Sequence, residues 1–349
     1  MLFAAKAKGF ALDRGEHVTL IARLSSFEAP LVIEELRECS SGDLAAVGEA
    51  MAALRPKKSA GYAHTNCGIS PASRFVRRAT LDPKRLKEAD YLSEVVNSQF
   101  RIDPEKHTIS VLNAVDGFDY EASKSGGGKE ALFCGLATAD LTALQGDLLK
   151  QGVYPARLEL SSMAAIAAII DYLKFTDSSK PTLVLEMGAD QTQSYIVSSR
   201  GVEATRPISV GLDAMVPVVQ KELGLKDEES ARKLFFSNTF DFTGMGASLC
   251  KRLLKELQSS MGFYEVQTGQ SISQLVCPVL APKLVWLEGV IASQVGVSVL
   301  QPEFARWFAA RQITLGEGVN ASQFDARKLA LLGLLLPTAP SSAPHAVAA

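Results

Sequence analysis

Apolar and polar positions alternate in short runs near the start of the chain and again past its midpoint. Gly9 to Leu12, His17 to Leu24 and Pro30 to Glu38 have the period of strands, and Asp43 to Leu54 then sets Leu44, Val47, Met51 and Leu54 on one helical face. A fourth strand is predicted over Ser59 to Thr65. The pattern returns with Leu183 to Met187, Gln193 to Ser198 and Ala204 to Val210 as strands, followed by a helical stripe of Leu212, Met215, Val216, Val219 and Leu223. A β-β-β-α unit used twice, about 170 residues apart, is far too long for a solenoid period. It predicts two similar halves facing a cleft.

The stretch between them has a different texture. Leu86 to Asn97 and Ala139 to Gln151 read as helices, the second closed by Gly152, and Thr108 to Asp116, Phe118 to Ala122 and Ala131 to Ala137 read as strands. This predicts a small α+β insert over 78–153. The expected organisation is a first domain of 1–77 and 154–180, the insert, a second domain of 181–336, and a tail of 337–349 too rich in Pro, Ala and Ser to hold a core. Within the insert, Ser125-Gly126-Gly127-Gly128-Lys129 has the look of a phosphate loop, but Glu130 stands where a hydroxyl residue is required. A flexible hairpin tip is expected there.

Composition narrows the function classes. With 349 residues, 47% of them hydrophobic and 21% charged, the chain can bury a large core. A net charge of −2 offers no basic field for nucleic acid, so none is expected as a partner. Cys39, Cys67, Cys134, Cys250 and Cys277 are odd in number and lack C-x-x-C spacing, which fits reduced thiols better than a disulfide frame or a zinc site. No run of about eighteen apolar residues is present to span a bilayer. The expected location is the cytoplasm, without membrane insertion.

The chemistry is concentrated at Leu183-Val184-Leu185-Glu186-Met187-Gly188-Ala189-Asp190-Gln191-Thr192, where an apolar strand stops at an acid, a glycine and a threonine. A glycine lets backbone N–H groups approach an anion, a hydroxyl can donate to a phosphate oxygen, and a carboxylate can hold a hydrated cation. A hairpin that needs glycine only for its turn has the same residues, and both readings stay open on this motif alone.

Taken in order with Arg206-Pro207-Ile208-Ser209-Val210-Gly211, Lys221-Glu222-Leu223-Gly224-Leu225, Lys255-Glu256-Leu257-Gln258 and Gly152-Val153-Tyr154-Pro155, the motif gives a resemblance. The chain resembles the PilM family of type IV pilus assembly proteins, in the actin-like ATPase superfamily with FtsA and the sugar kinases. The resemblance implies an α/β, actin-like/ribonuclease H-like two-domain fold with duplicated β-β-β-α-β-α units, and the insert in place of FtsA's extra subdomain. It implies a cytoplasmic scaffold, peripheral to the inner membrane, that docks the N-terminal peptide of a PilN-like inner-membrane protein and meets other pilus platform proteins. It also implies a Mg-ATP site drawn from Glu186, Gly188, Ala189, Gln191 and Thr192 with Asp13, Gly15 and Glu256, in which Glu186 and Asp13 hold the metal through water.

Several of these elements depart from the family pattern. The first phosphate loop, Asp13-Arg14-Gly15-Glu16, lacks the Asp-Ile-Gly-Ser order and sets Glu16 where a phosphate would lie. Glu186 replaces the usual Asp, and Cys277-Pro278 replaces a pair of glycines. ATP and Mg²⁺ are therefore expected to bind weakly or not at all, with no catalytic residue assignable. The alternative is a working Mg-ATP switch or slow ATPase, of the same machinery or of a type II secretion platform. For the partner peptide, Arg74, Arg77 and Arg78 are the candidate acceptors of its acids, with Phe75 and Val76 as apolar contacts.

Overall fold

The computed structural model describes residues 9–55, 61–120, 129–237 and 239–337. The predicted tip at Ser125 to Gly128, the tail beyond Pro337 and the start of the strand predicted from Ser59 lie outside them. The chain divides into two units, Met1–Ala168 with Phe304–Gln323 and Ala330–Ala349, and Ile169–Glu303 with Phe324–Leu329.

The first unit opens with a meander, β1 (Gly9–Arg14), β2 (Val18–Leu24) and β3 (Leu31–Ser40), followed by α1 (Leu44–Leu54) and β4 (Ala63–Ile69), which lies parallel to β1. Phe10, Ala11 and Leu12 are buried in succession because β1 is covered on both faces. Asp43 caps α1 by accepting from the Ala46 N–H at 2.9 Å. The helix then buries Val47, Met51 and Leu54 against Phe10, Leu12 and Ile21.

The insert is a separate antiparallel sheet. Its strands are β5 (Phe75–Thr80), β6 (His107–Asn113) and β7 (Glu130–Ala137), in the order β5-β7-β6, with α2 (Tyr91–Phe100) packing Tyr91, Val95 and Val96 on Phe75, Ala79 and Phe133. The sheet starts at Phe75, ahead of the expected boundary at residue 78. Of the strand expected over Phe118 to Ala122, the described part forms only an isolated bridge, Asp119 to Leu112. α3 (Thr138–Lys150) and β8 (Val153–Leu160) return to the first sheet: Leu148 joins the core of Phe10 and Leu12, and β8 pairs in parallel with β4. α3 therefore joins the first sheet through Leu148 and β8 while also touching β6 and β7 of the insert. α4 (Ser161–Phe175) follows, and the division between units falls within it.

The second unit repeats the plan with β9 (Thr182–Met187), β10 (Thr192–Ser198) and β11 (Gly201–Ile208), then α5 (Val216–Leu223), α6 (Glu228–Ser237), α7 (Gly246–Thr268), β12 (Gln274–Val276), α8 (Trp286–Val295) and β13 (Ser298–Val299). Its core gathers Leu183, Leu185 and Met187 with Val216, Val219, Phe235, Leu253 and Leu257. α9 (Phe304–Ala310), β14 (Ile313–Leu315) and α10 (Leu329–Gly333) complete the chain. β14 lies parallel to β3, pairing Ile313 with Leu31, so residues 304–323 belong to the first unit and not to a second domain running to 336.

The sheet orders carry the fold assignment. In one sheet the order is β3-β2-β1-β4-β8 with β14 added outside β3; in the other it is β11-β10-β9-β12-β13. Both are three antiparallel strands followed by two strands parallel to the first, the duplicated arrangement of an actin-like/ribonuclease H-like fold. All five cysteines are free thiols, and burial pushes that of Cys67 up to about 12.

Candidate functional site

Asp13 ends the buried part of β1, where its Oδ1 accepts a hydrogen bond from Ser161 Oγ, at the first residue of α4, at 2.5 Å. The bare backbone of Gly68 on β4 makes room for this contact. A Cβ there would lie 2.9 Å from Asp13 Oδ1 and 3.0 Å from Ser161 Oγ. Gly15 closes the β1–β2 turn, its N–H donating to Val18 O at 3.1 Å, and a Cβ on it would meet that carbonyl oxygen at 2.8 Å. Gly15 thus has a sufficient structural cause in the hairpin.

Glu16 does not stand as an uncompensated charge. Arg74 Nη2 meets its Oε1 at 2.6 Å, with the Arg74 side chain only 9% exposed, while Arg74 Nη1 donates to Pro71 O at 3.1 Å. The pair ties the β1–β2 turn to the entry of the insert. Phe75 and Val76 are 4% and 1% exposed, and Phe75 lies in the core of the insert. They are core residues rather than surface contacts for a peptide, because Phe75–Thr80 is a strand with both faces covered at this end. Arg77 and Arg78 are half-buried on β5; Arg77 donates to Val76 O at 3.0 Å, and Arg78 meets Glu130 at 3.2 Å across to β7.

In the second unit Glu186, Gly188, Ala189, Gln191 and Thr192 lie at the end of β9, in the turn and at the start of β10, which form the antiparallel hairpin read from the sequence. Gly188 N donates to Gln191 O at 3.0 Å, closing the turn. The carbonyls of Gly188 and Ala189 accept from the N–H groups of Leu212 and Asp213, both at 2.9 Å, at the start of the helical segment leading into α5. That contact requires Gly211, since a Cβ there would fall 2.2 Å from Ala189 O. Thr192 Oγ1 donates to Val210 O at 2.7 Å and is fully buried, and Glu186, 2% exposed, accepts from the Tyr195 hydroxyl at 3.2 Å.

The remaining sequence-predicted elements are also internally bonded. The N–H of Cys277 donates to Glu288 Oε1 at 2.6 Å; burial raises the Glu288 carboxyl, against the lowering effect of that bond. Glu256 is half exposed on α7 and pairs with Arg206 at 2.7 Å, beside an Arg206–Ser260 bond of 2.6 Å. Among the described residues no three or more His, Cys, Asp or Glu side chains group as a metal shell.

Sequence reasoning missed Ser161, Gly68, Tyr195 and Gly211. Ser161 had a usable signal in its place at a strand-to-helix junction. Tyr195, the partner of Glu186, had none.

No protein-family model matches the chain, and no curated protein matches it by sequence. Among solved structures it is similar to a chain of a PilM-PilN type IV pilus biogenesis complex, at 14% identity and TM-score 0.65, over 95% of this chain and 98% of that one. It also aligns with the ethanolamine utilization protein EutJ from Carboxydothermus hydrogenoformans, at 11% identity and TM-score 0.41, over 95% and 90% of the two chains. A third match is a protein with actin-like ATPase fold and unknown function from Bacteroides thetaiotaomicron, at 8% identity and TM-score 0.43, over 84% and 91%. With the repeated strand order described above, the first match shows that the chain carries a PilM-like actin fold.

Proposed function

We propose that the chain is a cytoplasmic, PilM-like scaffold of a type IV pilus assembly platform, docking the N-terminal peptide of a PilN-type inner-membrane protein and working without nucleotide turnover. The observation that carries this reading is the full-length match to a chain of a PilM-PilN complex, which takes in both units and the insert. No described helix is long and apolar enough to cross a membrane.

The peptide site lies on the first unit. β5 pairs with β7 on one side only, so its outer edge can take an extended peptide by backbone pairing, with Arg77 and Arg78 beside it for acidic side chains. Arg74 is not a peptide ligand in this reading, because it holds Glu16.

The state of the nucleotide elements supports the scaffold over the switch. The hydroxyl of Thr192, the turn N–H of Gly188 and the N–H groups of Leu212 and Asp213 all have protein acceptors, and Asp13 and Glu186 have hydroxyl donors. Groups so engaged do not fit a Mg-ATP grip, which needs several donors converging on phosphate. Calorimetric titration with the PilN-type cytoplasmic peptide tests the reading. Saturable binding weakened by replacing Arg77 and Arg78 together supports it, and no binding to the full chain contradicts it.

A further inference from the structure

A recess lies in the second unit, at the loop before α7 and the first residue of α8. It has a volume of about 290 Å³ and is lined by Thr239, Phe240, Asp241, Phe242 and Trp286. That is just below the range of small-molecule clefts, about 300 Å³ and upward, and is the scale of one inserted side chain.

The lining combines flat aromatic surface with one fixed carboxylate. Phe242 and Trp286 stack with centroids 5.9 Å apart and an interplanar angle of 18°, and Phe240 leans on Phe242 at 4.8 Å. Phe235 braces both stacked rings edge-on, at 5.6 Å and 6.4 Å. Phe242 is the buried back wall, whereas Phe240 is 39% exposed at the rim. Asp241 Oδ1 accepts from Thr243 N at 2.9 Å and from Thr243 Oγ1 at 2.6 Å. Both bonds end on the same oxygen and leave Oδ2 unused by them. Those bonds hold the carboxyl below its ordinary range, so it is ionised at neutral pH.

An acid would be repelled here, and a purely apolar group would leave the charge of Asp241 unmatched. A cation satisfies both features, since aromatic faces attract positive charge. The planar, weakly hydrated guanidinium stacks on rings while donating to a carboxylate, which a compact ammonium does less well. We propose that this recess is a docking site for an arginine side chain presented by a partner protein, distinct from the peptide site on the first unit.

The probe is acetyl-arginine amide, with acetyl-citrulline amide as its neutral isostere and acetyl-lysine amide as the other cation. Trp286 reports binding through its indole N–H resonance, since the other tryptophan, Trp307, is only 2% exposed. The expected result is a saturable shift with the arginine amide, weakened about tenfold or more by Asp241→Asn. Phe240→Ala, at the exposed rim, should weaken it as well and serves as the second variant if Asp241→Asn disturbs the loop. No saturable shift, or an equal response to citrulline, overturns the site. An equal response to lysine overturns the guanidinium assignment. Self-association of the chain abolished by Asp241→Asn would assign the arginine to a second copy and overturn a separate partner.

Discussion

The guanidinium of Arg74 lies 2.6 Å from the carboxylate of Glu16, joining residues 58 positions apart. The two had been expected to act separately, Glu16 repelling a phosphate and Arg74 holding a partner's acid. Each instead neutralises the other at the junction between the first sheet and the insert. Removing one charge from a largely buried pair leaves the other desolvated and alone, which costs more than the pair contributes.

Arg74→Ala should therefore destabilise the protein by about 1–3 kcal/mol in urea denaturation. Arg77→Ala and Arg78→Ala, on half-exposed side chains, should each change stability by less than about 1 kcal/mol. A binding defect in a triple arginine variant consequently needs a stability control, whereas one in the Arg77, Arg78 double variant reads directly on the peptide site.

The β9–β10 turn depends on a glycine outside the motif that drew attention to it. Gly211→Ala would place a Cβ 2.2 Å from the Ala189 carbonyl oxygen, a backbone atom that no rotamer change relieves. The cost should be about 3 kcal/mol or more, seen as a lower urea midpoint. Gly262→Ala, with nothing within 4 Å of its Cβ position, should be neutral or slightly stabilising.

Two carboxylates should respond to pH in opposite senses. Burial raises Glu203, but hydrogen bonds from Ser198, Tyr264 and Arg200 outweigh it and leave its pKa lowered. Its contribution is present above the unfolded value of 4.5 and is lost as the pH falls through the depressed folded value. Burial raises Glu159 despite Arg157, so its contribution is present below 4.5 and is lost as the pH rises through the folded value. Stability curves from about pH 3 to pH 7 should show Glu203→Gln flattening the acid limb. Glu159→Gln should remove a loss on the neutral side.

The fold was legible where the hydrophobic period was long enough to read. The two three-strand meanders show short apolar or alternating runs bounded by turn residues, α1 shows a single apolar face, and the repetition of this pattern pointed to the duplicated architecture. β5 was not legible as a strand, because Arg77 and Arg78 place one arginine on each face and make Phe75–Thr80 look like a basic connector. β14 has only Ile313, Thr314 and Leu315, too few positions to show a period or to reveal which sheet it joins. At the candidate site the β9–β10 hairpin itself was legible from the apolar runs on either side of Gly188. What the site residues bond to was beyond reach, since Thr192 to Val210, Glu186 to Tyr195 and Asp13 to Ser161 depend on tertiary placement.

The most direct test of a scaffold that docks its partner without nucleotide is one calorimetric measurement: the dissociation constant of the PilN-type cytoplasmic peptide for the full chain, with and without Mg-ATP. The account predicts saturable binding with the same dissociation constant in both conditions. Binding that appears only with Mg-ATP, and is abolished by Thr192→Ala in a variant that still folds, would contradict it.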